Sequence, residues 1–259
     1  MNFKPVTFPQ GYGMAPKLTS WGGNAIEDPK TGKYHIYVSA MTNNCSLQTW
    51  GKNSRIEHGI ADTITGPYKF VDVAIPTWSH NSAPIALKDG TFAIVHIGTG
   101  VGPVDGGQNC SHGPGATDVL QAPALAKASE LAVSAGSTIH TATSLNGPWV
   151  PLMNNTLGSC NNPAPWVHKN GTIYCLCGGT VLRAESISGP WEHISSLSHS
   201  GGPAGNYEDP FLYTDERGWH LIYHVVSTCA GRSRHRSTSI FFSTVDWYGK
   251  EPMLSCCLS

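Results

Sequence analysis

Charge is what this sequence has least of. Only 13% of its 259 residues are Asp, Glu, Lys or Arg, and the net charge is −1. A nucleic-acid or anionic-membrane partner needs a basic field, so both are excluded. Apolar runs are short, and none approaches the roughly 20 residues that span a bilayer. The 8 cysteines include no Cys-x-x-Cys pair joined to a second pair or to histidines at zinc spacing, so no thiolate metal site is expected. The stretch Gly98–Gly115, with Asp105, Gln108 and His112, lacks the strand–GxxxxGK–helix context of a phosphate cradle. Helix-compatible spacing is confined to residues 118–135.

Turn chemistry is abundant instead. With 29 Gly and 18 Pro, the chain reads as all-β and turn-rich. One hairpin recurs. It is clearest where Tyr207-Glu208-Asp209-Pro210 leads into Phe211-Leu212-Tyr213, a polar turn closed at Gly218, and a return strand through His224. Pro210 suits the start of a strand, and Gly218 supplies the backbone freedom of the turn. Aligned on the turn glycine, the same unit appears at Ala83–Gly90, at Ala164–Gly171 and, earliest, at Asn24–Gly32. Three copies are followed by a second repeat, Thr65-Gly66-Pro67-Tyr68, Asn146-Gly147-Pro148-Trp149 and Ser188-Gly189-Pro190-Trp191. Four-stranded units at this spacing predict a β-propeller, which uses such a length as one domain. The expected layout is a lead-in over residues 1–20 and a single domain over 21–259, with an insertion at 98–138 in the second blade.

The hairpins, the Ser-x-x-Gly-Pro-Trp element and Glu208-Asp209-Pro210-Phe211-Leu212-Tyr213 with its downstream His together resemble the five-bladed β-propeller of glycoside hydrolase family 43, over roughly residues 20–247. The resemblance implies a five-bladed, all-β fold whose last blade is incomplete or atypical. It also implies carboxylates meeting at the mouth of a central tunnel. On this register Glu208 matches the family's general acid, and Asp209 is the neighbour that tunes it by like-charge proximity. The positions where the family keeps its other acids read Gly22-Gly23-Asn24, Ser82-Ala83-Pro84 and Pro163-Ala164-Pro165, with no acid among them. Glu27-Asp28-Pro29 lies too close to Gly32 to begin a strand and belongs in a turn away from the mouth.

Asn24, His80, Asn81, Asn161, Asn162, Tyr207 and His224 are the expected polar contacts to a sugar. Trp78, with Trp21, is the expected stacking platform, whereas Trp149 and Trp191 belong to the core by repetition. The resulting expectation is a monomeric glycoside hydrolase acting on a plant, algal or microbial polysaccharide or oligosaccharide. It needs no cofactor, with a structural calcium or sodium ion in the tunnel as an option. The rivals are a carbohydrate-binding propeller without catalysis, supported by the missing base, and a lyase using Tyr207, His80 or His112.

Four Asn-x-Ser/Thr acceptors, at Asn44, Asn109, Asn154 and Asn170, together with the cysteines, point to a secreted, disulfide-bearing glycoprotein. Met1-Asn2-Phe3-Lys4-Pro5 does not read as a signal peptide.

Overall fold

The computed structural model describes residues 19–45, 47–105, 110, 136–152, 156–196, 207–216, 218–227 and 237–245. Within them the protein is strand, apart from one turn each of 3-10 helix at Leu47–Thr49 and α-helix at Trp50–Asn53. The helix expected at 118–135 and the lead-in over 1–18 lie outside the described residues.

The strands form four antiparallel sheets in chain order. The first holds β1 (Ser20–Glu27), β2 (Tyr34–Met41), β3 (Ser54–Ala61) and β4 (Lys69–Ile75). The second holds β5 (His80–Ala86), β6 (Phe92–Ile97), β7 (Ser137–Ala142) and β8 (Val150–Pro151). The third holds β9 (Ala164–Val167), β10 (Ile173–Cys177), β11 (Thr180–Ala184) and β12 (Glu192–Ser196). The fourth has three described strands, β13 (Tyr207–Asp215), β14 (Gly218–Ser227) and β15 (Ser237–Val245). Each sheet is a meander whose neighbours in sequence are neighbours in space. This is a propeller-like plan, and the described residues give four of its sheets.

The repeats seen in the sequence have matching local structure. In the three Gly-Pro elements the glycine N–H returns to a carbonyl three residues back, Gly66 to Thr63, Gly147 to Ser144 and Gly189 to Ser186. The Gly-Pro peptide is cis in all three. Asp28 closes the first hairpin as expected, its Oδ1 accepting from the Lys30 N–H and its carbonyl from Gly32 N–H, so Glu27 and Asp28 sit at a turn.

The core lies between successive sheets rather than within one. Tyr37, Ile56 and Ile75 of the first sheet pack on Phe92 and Ile94 of the second, with Trp149 against them. Ile85, Val95 and Ile139 pack on Ile173 and Cys175 of the third, and Trp191 joins this group. Leu176 and Val181 pack on Leu212 and Leu221 of the fourth. Second strands are therefore covered on both faces, which is why β2 is buried almost throughout instead of alternating. Each such Ile or Leu contributes about 1.5–3 kcal/mol on leaving water.

Covering both faces also traps imidazoles. His35 Nδ1 lies 2.8 Å from His58 Nε2, and His58 Nδ1 lies 3.2 Å from Asp72 Oδ1 at the outer strand. His96 Nε2 lies 2.9 Å from His140 Nδ1 in the corresponding strands of the second sheet. Burial, reinforced by the neighbouring ring, holds His35 down at about 4 and His96 at about 3. Burial alone lowers His140 to about 4. His58 is lowered by burial, against the opposing pull of Asp72.

These rings are neutral in the folded chain, while the unfolded chain takes up protons below about pH 6.5. Stability should therefore be full above that pH, fall steadily towards pH 4, and level off below the folded values. Melting temperatures between pH 8 and 4 check this. A curve flat across that window would contradict it.

Candidate active site at the axial mouth

The four first strands, β1, β5, β9 and β13, pack side by side, each on the next. Each bends at a residue in the left-handed region: Gly22 at φ 58°, Asn81 at 49°, Asn162 at 50° and Asp209 at 46°, with Gly23 at 136° following Gly22. Three of the four strands shift register there, between Trp21 and Gly23, His80 and Ala83, and Glu208 and Phe211. Such a bulge bends the strand and re-aims the side chain at the bend. Gly, Asn and Asp are the residues that tolerate this conformation at least cost.

The four bends surround a cavity of about 450 Å³, lined by Ser20 to Asn24, Asn81 and Ser82, Asn162 and Pro163, and Asp209 and Pro210. That volume lies in the range of small-ligand sites. A second cavity, about 580 Å³, lies at the far ends of β9 and β13 between Trp166, His168, Asp215 and Trp219. It is built from hairpin turns, and its Asp215 carboxylate is paired with His220 at 2.7 Å. The mouth is where all four sheets contribute.

Hydrogen bonds fix the mouth residues. The Asn81 N–H donates to Ser39 Oγ at 2.8 Å, and Ser82 Oγ donates to the Tyr37 carbonyl at 2.9 Å. Asn24 Nδ2 reaches the Ser82 carbonyl at 3.4 Å. Asn81 Nδ2 donates to Asn162 Oδ1, joining the second and third sheets across the cavity. Asn81 Oδ1, by contrast, is buried and has no partner. Gly22 and Gly23 are obligatory here. A Cβ at 22 would lie 2.2 Å from Asn81 Oδ1, and one at 23 would lie 2.3 Å from the Tyr37 carbonyl oxygen.

The structure sorts the residues singled out in the sequence. Asn24, Asn81, Asn162 and Asp209 line one cavity, as does Trp21. Asn161 precedes it, exposed, with its carbonyl accepting from Gly178 N–H, and does not line it. Two expectations are corrected. Trp78 is only 9% exposed, its indole nitrogen is buried, and its carbonyl is held by the Gly100 N–H under a glycine-rich segment, so it presents no stacking face. His80 is buried against Trp50, with Nδ1 2.8 Å from Ser54 Oγ. Burial holds it at about 4, so it is a neutral structural ring.

Glu208 pairs with His224, and Tyr207 with Val225, in the backbone of β13 and β14. The side chains of Tyr207, Glu208 and His224 lie outside what the structure describes, as does His112. Gly22, Gly23, Ser82 and Pro163 line the cavity too; sequence reasoning placed them at strand entries without proposing them as contacts. Their signal was the repeated small or Pro residue at each strand entry.

Two disulfides brace this end of the molecule, Cys45–Cys110 and Cys160–Cys177. The first ties the segment after β2 to residue 110, and the second ties the approach to Asn162 to the end of β10. Cys175 lies on the same strand as Cys177. It is buried and unoxidised, 3.6 Å from Cys177 Sγ and 3.9 Å from Cys160 Sγ. Oxygen donors suited to a hard cation are present at the mouth in Asn81 Oδ1 and the Asp209 carboxylate.

Neither a protein-family model nor a curated protein matches the chain. Solved structures do. A family 43 β-xylosidase/α-arabinofuranosidase from a compost microbial metagenome, in complex with xylotriose, is 18% identical with a TM-score of 0.54, over 90% of this chain and 74% of that one. A family 117 glycoside hydrolase from the marine bacterium Zobellia galactanivorans is 14% identical with a TM-score of 0.52, over 94% and 71%. An exo-β-1,3-galactanase from Phanerochaete chrysosporium, with β-1,3-galactotriose, is 12% identical with a TM-score of 0.54, over 81% of this chain but only 43% of its own. At these identities the likeness is one of fold, the fold of the family 43 and family 117 glycoside hydrolases.

Burial pushes the Cys175 thiol up to about 12, so it should resist alkylation in the folded protein. Peptide mapping after native iodoacetamide treatment should find Cys175 unmodified and Cys160 joined to Cys177. Rapid native alkylation of Cys175 would refute the burial.

Proposed function

We propose that the chain is a glycoside hydrolase that holds a neutral polysaccharide or oligosaccharide, of plant, algal or microbial origin, in the axial mouth. The observation that carries this reading is the convergence of four first strands on one polar cavity, with the Asp209 carboxylate in its wall and Glu208 beside it in the chain. Amides from Asn24, Asn81 and Asn162 suit sugar hydroxyls, and Trp21 offers an aromatic edge. In this reading Glu208 is the proton donor to the leaving oxygen, and the four sheets are blades of a five-bladed ring. No cofactor is required. Asn81 Oδ1 and Asp209 are the groups that would hold a structural calcium or sodium ion in the tunnel. The fold, shared with hydrolases solved with xylotriose and β-1,3-galactotriose, supports a saccharide ligand. The disulfides agree with a secreted protein, and in this reading it acts as a monomer.

A second reading, a binding module without catalysis, is favoured by one feature. Gly22-Gly23-Asn24, Ser82-Ala83-Pro84 and Pro163-Ala164-Pro165 stand where a family 43 enzyme keeps its other acids, and none is acidic. The lyase reading loses its histidine at position 80, which is buried and bonded to Ser54.

For the hydrolase, Glu208→Gln should lower turnover by about 10²–10⁴-fold while leaving saccharide affinity nearly unchanged. Product release from oligosaccharides, read beside calorimetric binding, tests this. A wild type that binds sugar and never cleaves it would establish the binding module instead.

A further inference from the structure

A family 43-like mouth needs a carboxylate to activate water, and the first strand of the first sheet lines the cavity without one. Position 22 is glycine, and the space its side chain would fill is already taken. Asn81, from the second sheet, places its Oδ1 2.2 Å from where a Cβ at residue 22 would stand. That oxygen is buried and without a donor, and Asn81 as a whole is only 9% exposed. A buried acceptor left unpaired costs about 1–3 kcal/mol, so its persistence calls for a donor that arrives with the ligand or as water. The Asp209 Oδ1 lies 3.5 Å from the same point. Two oxygens so close to one position are within reach of a single water donating to both, since each such bond spans about 2.8 Å. The cavity that Asn81 and Asp209 both line has polar walls.

We infer that the fourth sheet supplies the general base: Asp209 draws the proton from a water molecule that Asn81 Oδ1 holds in line beside Gly22. This rests on the hydrolase reading above. The water oxygen bonds to the anomeric carbon as the glycosidic C–O bond breaks. The water's proton passes to Asp209, and the leaving oxygen takes a proton from Glu208. Two sugars result, and the two carboxyl groups return to their starting states by exchange with solvent. Direct attack by Asp209 on the sugar would leave Asn81 Oδ1 with no donor, whereas a water between them donates to it. Asn81 is then a positioning residue, and Gly22 is the residue that makes room for it.

The test compares wild type, Asp209→Ala, Asn81→Ala, Gly22→Ala and the Gly22→Ala/Asn81→Ala double variant, on a panel headed by xylotriose and β-1,3-galactotriose. Asp209→Ala should lose about 10²–10⁴-fold in kcat. Sodium azide, which needs no deprotonation, should restore its turnover with formation of a glycosyl azide. Asn81→Ala should lose about tenfold to a hundredfold in kcat with KM little changed. Gly22→Ala should lose as much, and the double variant no more than either, because both displace the same water. Circular dichroism guards against misfolding. Wild-type cleavage that survives Asp209→Ala would overturn the base assignment and leave the hydrolase standing. A wild type that binds but cleaves nothing in the panel would overturn both. Cleavage lost on chelation and regained with calcium, together with failure of Asn81→Ala to bind calcium, would place a cation on that oxygen instead.

Discussion

Four strands bend into one cavity through a residue held at positive φ, and that backbone constraint decides what the mouth can contain. Most side chains pay about 1–2 kcal/mol for the left-handed region, while glycine escapes and Asn and Asp pay least. The four positions are accordingly Gly22, Asn81, Asn162 and Asp209. The same bend that selects small polar residues also points them at one cavity. Chemistry at the mouth is thus a by-product of how the first strand of each sheet is turned. Trp78, at φ 66°, extends the pattern one step outward: a bulky residue kept in the left-handed region because Gly98 leaves room for its carbonyl and Gly100 bonds to it.

Behind the mouth the structure is stiff for reasons that do not involve ligand. Second strands are buried on both faces, so the histidines they carry are neutral and bonded to one another rather than to solvent. Disulfides sit at the mouth end, Cys45–Cys110 packed with Met41, Leu47 and Trp50, and Cys160–Cys177 packed with Leu157. Closing a loop of 17 residues, as Cys160–Cys177 does, is worth about 3 kcal/mol in the chain-entropy picture. Packing holds the sheets, and covalent links hold the loops that shape the cavity.

The hairpins were legible in the sequence because each carries its own punctuation: a small or proline residue at the entry, and a glycine where the turn requires positive φ. The turn placement of Glu27 and Asp28 followed from counting residues to Gly32. Asn24, Asn81, Asn162 and Asp209 could be assigned to one mouth because a repeat puts equivalent positions at one end of the molecule. Burial was harder to read. Trp78 and His80 stand directly before a mouth residue, yet the glycine-rich segment and Trp50 cover them, and both covers come from distant parts of the chain. The exchange between Gly22 and Asn81 was also hidden. Nothing in Gly22-Gly23-Asn24 says that an amide 59 positions on fills its missing side chain. The pairing of Cys160 with Cys177 rather than Cys175 is likewise tertiary, since both lie on one face of β10.

The central claim is that the converging first strands form the saccharide site. A crystal structure of the Glu208→Gln variant soaked with xylotriose or β-1,3-galactotriose tests it most directly. The account predicts sugar density in the cavity between Trp21, Asn81, Asn162 and Asp209, with a hydroxyl or water donating to Asn81 Oδ1. A sugar bound instead between Trp166 and Trp219 at the far end of the strands, with the mouth empty, would contradict it.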